Sequence, residues 1–333
     1  MTTVNRQWRL VKRPDTLFRA TDFEMTEEPL PELGEGKVLV RNLFLSLDPT
    51  NLVWARMESY RAIFPIGQVM WGLTLGVVEE SRHPKFRPGD LVHTFSGWQT
   101  YSITDDSGWG LYHVELPPDI PQEAFFALYG HVGGAAYYGL REIGKPQAGE
   151  TLVVSAAAGA VGTLVGQMAK MKGCRVVGIA GGPEKCRRIV QELGFDAAID
   201  YKSENVSEML KRHCPNGIDI VFENVGGEML EAALDLINVK ARVVLCGLIS
   251  QYAADKPSPG PRNFVNIGLQ RARAEGVLST DYAMDDCMRD VSRWVLDGSI
   301  KYRVDVVDGL EQAPLHVNRL FDGTHDGKLV VRV

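Results

Sequence analysis

The sequence predicts an α/β chain in which a doubly wound parallel sheet is inserted into a β-rich domain. Three observations predict it. Residues 1 to about 120 carry short alternating or apolar runs cut by proline and glycine, among them Pro84, Pro88-Gly89 and Gly97. From about Pro121, short apolar runs alternate with helical stretches. The tail, from Lys301, returns to strand-like runs at 302–307 and 328–333, which are expected to pair back onto the front domain. The expected division is 1–122 with 300–333 for the β-rich domain and 123–299 for the α/β domain.

Each element follows from its pattern. The run 37–46 alternates and then turns apolar, and 76–79 and 90–95 read as further strands of a small barrel-like or sandwich domain. Helices are expected at 122–129 and 133–143. Then come strand 152–154, a helix through 164–170, strand 175–180, helix 184–193, strand 197–200 and helix 205–213. Strand 218–222, helix 228–236 and strand 241–246 complete the α/β core.

A length of 333 residues suits two domains. The formal charge of −6 gives no basic surface for nucleic acid or an anionic membrane. No apolar run is long enough to span a bilayer, and the first residues lack a leader-like apolar core, so a cytoplasmic protein is the expectation. The five cysteines lie at 174, 186, 214, 246 and 287 with no C-x-x-C pair, which argues against a disulfide framework or a closely spaced zinc lobe.

The stretch 151–162 carries the most chemistry. An apolar strand runs into Ala156-Ala157-Ala158-Gly159-Ala160-Val161-Gly162, which opens a helix. Strand, glycine turn and helix place N-terminal N–H groups against a pyrophosphate, as in Rossmann dinucleotide domains. Gly159 would admit the phosphates and Gly162 would let helix and strand pack closely, while Ala156 replaces the usual first glycine. About 20 residues on, an NAD-preferring site keeps an acid for the ribose 2′-hydroxyl. Here Ala180-Gly181-Gly182-Pro183-Glu184-Lys185 stands instead. Lys185 would pair with a 2′-phosphate and Tyr201 would add a hydroxyl, so the expected cofactor is NADPH. The plain alternative is that Lys185 is one more solvated charge beside Glu184, Arg187 and Arg188.

Local strings across nearly the whole chain then resemble a known family. They are Leu45-Ser46-Leu47-Asp48-Pro49, the run 155–162, Phe195-Asp196-Ala197-Ala198-Ile199-Asp200-Tyr201-Lys202, Phe222-Glu223-Asn224-Val225-Gly226-Gly227, Cys246-Gly247-Leu248-Ile249-Ser250-Gln251-Tyr252 and Gly327-Lys328. The chain resembles the zinc-independent prostaglandin reductase and alkenal double-bond reductase group of the medium-chain dehydrogenase/reductase superfamily. The resemblance implies a GroES-like catalytic domain around the Rossmann insertion, and reduction of a carbon–carbon double bond conjugated to a ketone or aldehyde. It implies Tyr252 as the donor to the enolate oxygen, since a phenol with a pKa of about 10 stays neutral at pH 7. The alternative for Tyr252 is a loop aromatic that covers the cofactor. Cofactor contacts are implied from Gly159, Ala160, Val161, Gly162, Gly181, Lys185, Tyr201, Asn224, Cys246, Gly247, Ser250, Tyr252, Leu278 and His325. Asn224 is equally a turn residue before two glycines.

The chain departs from the family at Thr50 and Asn51, where Tyr-Met is common, and at Ala135, where a Thr usually helps hold the nicotinamide amide. His325 matches the family's Asn before Gly-Lys. Thr50, Asn51, Tyr60, His131 and Ala135 are the expected substrate-pocket residues. His131 is either a proton donor or anion ligand, or a packed helix histidine. No metal is expected: no cysteine precedes Cys174, and His83, His93 and His113 lack a ligand spacing. A zinc-free quinone reductase and a non-catalytic NADPH-binding protein are the alternatives to an enone reductase. A homodimer is implied, with the sheet edge near 276–279 as its contact.

Overall fold

The computed structural model describes residues 4–107, 110–256 and 259–333. Two compact units divide the chain. One runs to Glu123 and takes back Asp305–His325 and Leu329–Val333; the other holds Ala124–Val304 and Asp326–Lys328.

The first unit begins with an antiparallel pair, β1 (Val4–Leu10) and β2 (Phe23–Pro29), with Val4 opposite Pro29 and Leu10 opposite Phe23. The sequence reading did not single out this pair. β3 (Val38–Ser46) follows, then helix α1 (Pro49–Arg56), β4 (Thr74–Ser81), β5 (Leu91–Thr94), β6 (Tyr101–Thr104) and β7 (Leu111–His113). The alternation read in 37–46 has its physical cause here. Val38 and Val40 turn inward onto Val78, Phe86, Val92 and Leu111, while Leu39 between them is half-buried and Arg41 after them is exposed. Helix α1 was also missed. Pro49 starts it without losing a needed N–H, and Asn51 Oδ1 accepts the Asp48 N–H at 2.8 Å.

The second unit opens with α2 (Phe125–Leu128) and α3 (Gly130–Tyr138). The expected helices 122–129 and 133–143 are thus re-divided, because Tyr129 is extended and Gly130 takes φ +59°. Past α3 the chain widens into a π-turn over Gly139–Gly144, and Lys145 N–H closes it on Leu140 C=O at 2.7 Å. Strand and helix then alternate as β8 (Thr151–Val154), α4 (Ala160–Met171), β9 (Arg175–Ala180), α5 (Pro183–Gln191), β10 (Ala197–Asp200), α6 (Val206–His213), β11 (Ile218–Glu223), α7 (Gly227–Leu234) and β12 (Ile237–Leu245). Two short helices, α8 (Ile249–Tyr252) and α9 (Val265–Leu269), lead to β13 (Arg273–Gly276) and α10 (Asp285–Leu296). The strands form one parallel sheet in the order β10-β9-β8-β11-β12-β13. Its strands face a core of Val153, Val177, Ile199, Val221 and Val243 with Leu210 and Leu234 from the helices. The order reverses between β8 and β11, so their carboxyl ends frame the crevice where such sheets bind ligands.

The tail supplies β14 (Val304–Asp308) and β15 (Lys328–Arg332). β15 pairs antiparallel with β3, Val330 opposite Ser46, in a seven-stranded sheet of order β14-β15-β3-β4-β5-β7, with β6 also on β3. Among the described residues no helix is long and apolar enough to cross a membrane.

Candidate cofactor and substrate site

The turn between β8 and α4 is built as the sequence requires. Ala156 adopts φ +48°, so the position of the missing first glycine keeps a left-handed backbone despite its Cβ, at a cost of about 1–2 kcal/mol. Gly159 N–H closes the turn on Ala156 C=O at 2.9 Å. The first intrahelical bond is Thr163 N–H to Gly159 C=O, 3.0 Å, so Ala160, Val161 and Gly162 contribute the N–H groups of the helix N-terminus. A Cβ on Gly162 would lie 2.4 Å from Ala156 O and 2.8 Å from Ala157 Cα, both backbone that cannot yield. The glycine there is a packing necessity, and the turn fits a diphosphate.

At the tip of β9, Gly182 takes φ +94° and starts α5 with Pro183. The Tyr201 ring lies against Gly181, where a Cβ would meet ring atoms at 2.9 Å. Lys185 sits in the first turn of α5, half-buried. Asp200, which the sequence reading passed over, holds this corner together. Its carboxylate accepts Gly182 N–H at 2.7 Å, Lys202 N–H at 3.1 Å and Ser203 Oγ at 2.9 Å. Burial opposes its charge, but these donors outweigh burial and keep its pKa low. Gly181 and Tyr201 are therefore brought together, with Lys185 in the helix turn that follows and a carboxylate whose oxygens already serve backbone and hydroxyl donors.

A second lattice stands at the carboxyl ends of β8, β11 and β12. Its hub is Glu223, 1% exposed. Glu223 Oε1 accepts from Ser155 Oγ (2.7 Å), Val225 N (2.6 Å) and Gly226 N (2.7 Å). Burial raises its pKa against those bonds. The Glu223 carbonyl accepts from Cys246 N and Gly247 N at 2.9 and 3.1 Å. Asn224 donates from Nδ2 to Ser155 C=O at 2.8 Å, so its amide first serves the turn. Ser250 Oγ donates to Val225 C=O at 2.6 Å. Tyr252 Oη lies over Gly247, where a Cβ would stand 3.4 Å away, and accepts the Leu248 N–H at 3.0 Å. That bond uses one lone pair of the phenol oxygen. Burial raises the Tyr252 pKa, with the Leu248 N–H pulling the other way, so the phenol stays neutral near pH 7. The Cys246 thiol is pushed up to about 12, mainly by burial and also by Glu223. It is not a thiolate.

On the same unit, His131 is the second residue of α3 and its Nδ1 lies 2.7 Å from Ser279 Oγ. This joins His131 to the segment that follows β13 and includes Leu278. Ala135 is buried about one turn past His131, beside Gly134, where a Cβ would strike Met284 and Ser279 at 2.4 and 2.9 Å. The other unit holds the remaining expected residues. Among the described residues, Thr50 Oγ1 is buried with no hydrogen-bond partner. Trp54 Nε1 donates to Tyr60 Oη at 3.2 Å, and His325 Nδ1 lies 2.8 Å from Arg319 C=O. Asn51 is a correction. It is fully buried, its Oδ1 caps α1 and its Nδ2 donates to Trp71 C=O at 2.9 Å, so both ends are committed to the fold and neither faces a ligand.

A family profile described as "N-terminal domain of oxidoreductase" matches residues 6–111, and one described as "Zinc-binding dehydrogenase" matches 160–296. The NADPH-dependent curcumin reductase of Escherichia coli (strain K12) is 42% identical over 99% of this chain and 97% of its own length. The chain belongs to the zinc-independent double-bond reductase group of the medium-chain dehydrogenase/reductase superfamily. The 2-alkenal reductase (NADP(+)-dependent) of Nicotiana tabacum is 42% identical over 91% of this reductase and 89% of its own chain. The crystal structure of CurA in complex with NADPH from Vibrio vulnificus superposes with a TM-score of 0.91 at 40% identity, covering 98% of this chain and 99% of that one. Among the described residues of this reductase no three His, Cys, Asp or Glu side chains stand close enough to hold a metal. Sequence reasoning missed Asp200, Glu223 and Arg188. The signal for the first two was present, each an acid at the last position of a mostly apolar strand.

Proposed function

We propose that this reductase uses NADPH to saturate the carbon–carbon double bond of α,β-unsaturated ketones or aldehydes. The observation that carries the reading is the neutral, half-buried Tyr252 phenol held over Gly247 beside the lattice at the switch point of the sheet. The cofactor, when bound, supplies the hydride that reaches the β-carbon of the substrate. Gly159 would let its diphosphate approach, Ala160, Val161 and Gly162 would hold it through backbone N–H groups, and Lys185 with Tyr201 would hold its 2′-phosphate. Asn224, Cys246, Gly247, Ser250, Leu278 and His325 would line its remaining length. Tyr252 would hydrogen-bond the substrate carbonyl oxygen as it gains enolate charge, which stabilises the transition state more than the ground state. A proton on the α-carbon then completes a saturated carbonyl. Thr50, with its buried unsatisfied hydroxyl, and Tyr60, His131 and Ala135 would shape the substrate pocket.

The relatives' activities support the substrate class: one reduces curcumin and another 2-alkenals. We place the protein in the cytoplasm, where its five cysteines remain thiols. A homodimer joined at β13 fits the exposure of all four residues of that strand, together with Phe264, Val265 and Leu269 just before it.

Tyr252→Phe tests the oxyanion role. The variant should lose roughly 10²- to 10³-fold in kcat with an enone, while NADPH affinity, measured by titration of its fluorescence, stays nearly unchanged. Equal losses in turnover and cofactor affinity would mean that Tyr252 only covers the cofactor.

A further inference from the structure

Arg188 lies on α5, one turn beyond Lys185, yet it is only 6% exposed while Glu184 and Arg187 face solvent. Its Nη2 donates to the Ala158 carbonyl, 2.9 Å away, inside the turn between β8 and α4. Its Nη1 donates to Asp326 Oδ1, and the other oxygen of that carboxylate accepts from Arg303 Nη1 at 2.6 Å. The short segment Asp326–Lys328 is itself fastened to the turn. Gly159 and Gly327 form an isolated parallel bridge, and Lys328 N–H donates to Arg303 C=O at 3.0 Å. Gly327 has φ +82°, and a Cβ there would lie 2.4 Å from Arg303 O.

A buried guanidinium is costly unless fully partnered, and an apolar side chain would fill the same space on α5 without that cost. The partners Arg188 has are unusual in kind. One is a single peptide of the glycine turn, whose other face, the Gly159 N–H, is taken by Ala156 C=O at 2.9 Å. The peptide between Ala158 and Gly159 is therefore held from both sides in one orientation. Turned the other way, it would present its carbonyl dipole where a diphosphate must approach. Charge is balanced there, since Asp326 lies between the two guanidinium groups and Arg303 also faces Glu192 at 3.7 Å, so what Arg188 contributes is the direction of its hydrogen bonds.

We propose that Arg188 is a positioning residue for the cofactor diphosphate, locking the 158–159 peptide and tying it through Asp326 to the 326–328 segment. The proposal rests on the turn receiving that diphosphate. The test is calorimetric titration of the full-length protein with NADPH and with adenosine 2′-monophosphate, which has the 2′-phosphate end but no diphosphate. In Arg188→Met, NADPH should bind roughly tenfold or more weakly, the effect of losing charged hydrogen bonds, while the monophosphate binds as before. Arg188→Lys keeps the charge but cannot reach both acceptors, so it should fall between, and it decides the matter if Arg188→Met does not fold. Unchanged NADPH affinity in Arg188→Met, equal weakening of both ligands, or full affinity in Arg188→Lys would overturn the positioning role. Equal affinity of the unsubstituted protein for the two ligands would instead remove the diphosphate from the turn, and the proposal with it.

Discussion

Lys185 shows what a single residue contributes to cofactor choice. It is half-buried in the first turn of α5, which follows the tip of β9 where Gly181 meets the Tyr201 ring. A hydrogen bond to a charged group is worth about 1.5–3 kcal/mol, so Lys185→Ala should weaken NADPH by about that amount and leave NADH nearly unaffected. Parallel titrations of the two cofactors check it; equal weakening would remove the 2′-phosphate assignment. At this scale the sequence was legible where a position admits few residues. Gly162 could be read because backbone on two sides excludes any Cβ. Asn51 could not, because nothing in a sequence tells a pocket amide from one that caps a helix and bonds Trp71. Arg188 was hidden for a related reason, since a charge beside Glu184 and Arg187 reads as one more solvated residue until the fold brings Ala158 and Asp326 to it.

Elements were legible in proportion to their periodicity. The parallel strands of the central sheet read as short apolar runs because both faces are covered. β1, by contrast, carries Asn5, Arg6, Gln7 and Arg9, and its pairing with β2 depends on a partner 19 residues away across an irregular stretch. α3 was misplaced because a glycine with positive φ starts it and a π-turn ends it, and neither leaves a 3.6-residue signature. The edge strand β13 bears the prediction at this scale. It is the last strand of its sheet, all four of its residues are exposed, and Leu269, 70% exposed, precedes it by four residues; exposed apolar surface at an open edge favours pairing with a second copy. Light scattering should give a dimer for the natural sequence and a monomer for Leu269→Asp. A dimer in both would move the contact elsewhere.

At the scale of the whole molecule, the topology reads as one sheet system interrupted by another. β15 returns to β3 after the parallel sheet is complete, which explains why the tail resembles the front of the chain more than the segment before it. That return could be anticipated because strand-like runs reappear after residue 300. The division of labour between the units could not, since it depends on contacts such as Asp326 with Arg188, where three residues of the tail join the cofactor-side unit. The central claim concerns the reaction of the assembled molecule. It is tested most directly by following NADPH oxidation at about 340 nm with an open-chain aryl enone, an alkenal, a cyclic enone and a quinone, and identifying the products. The account predicts turnover of the open-chain enone with NADPH to a saturated ketone whose carbonyl is intact. NADPH binding with no turnover of any enone or alkenal, or reduction confined to the quinone, would contradict it.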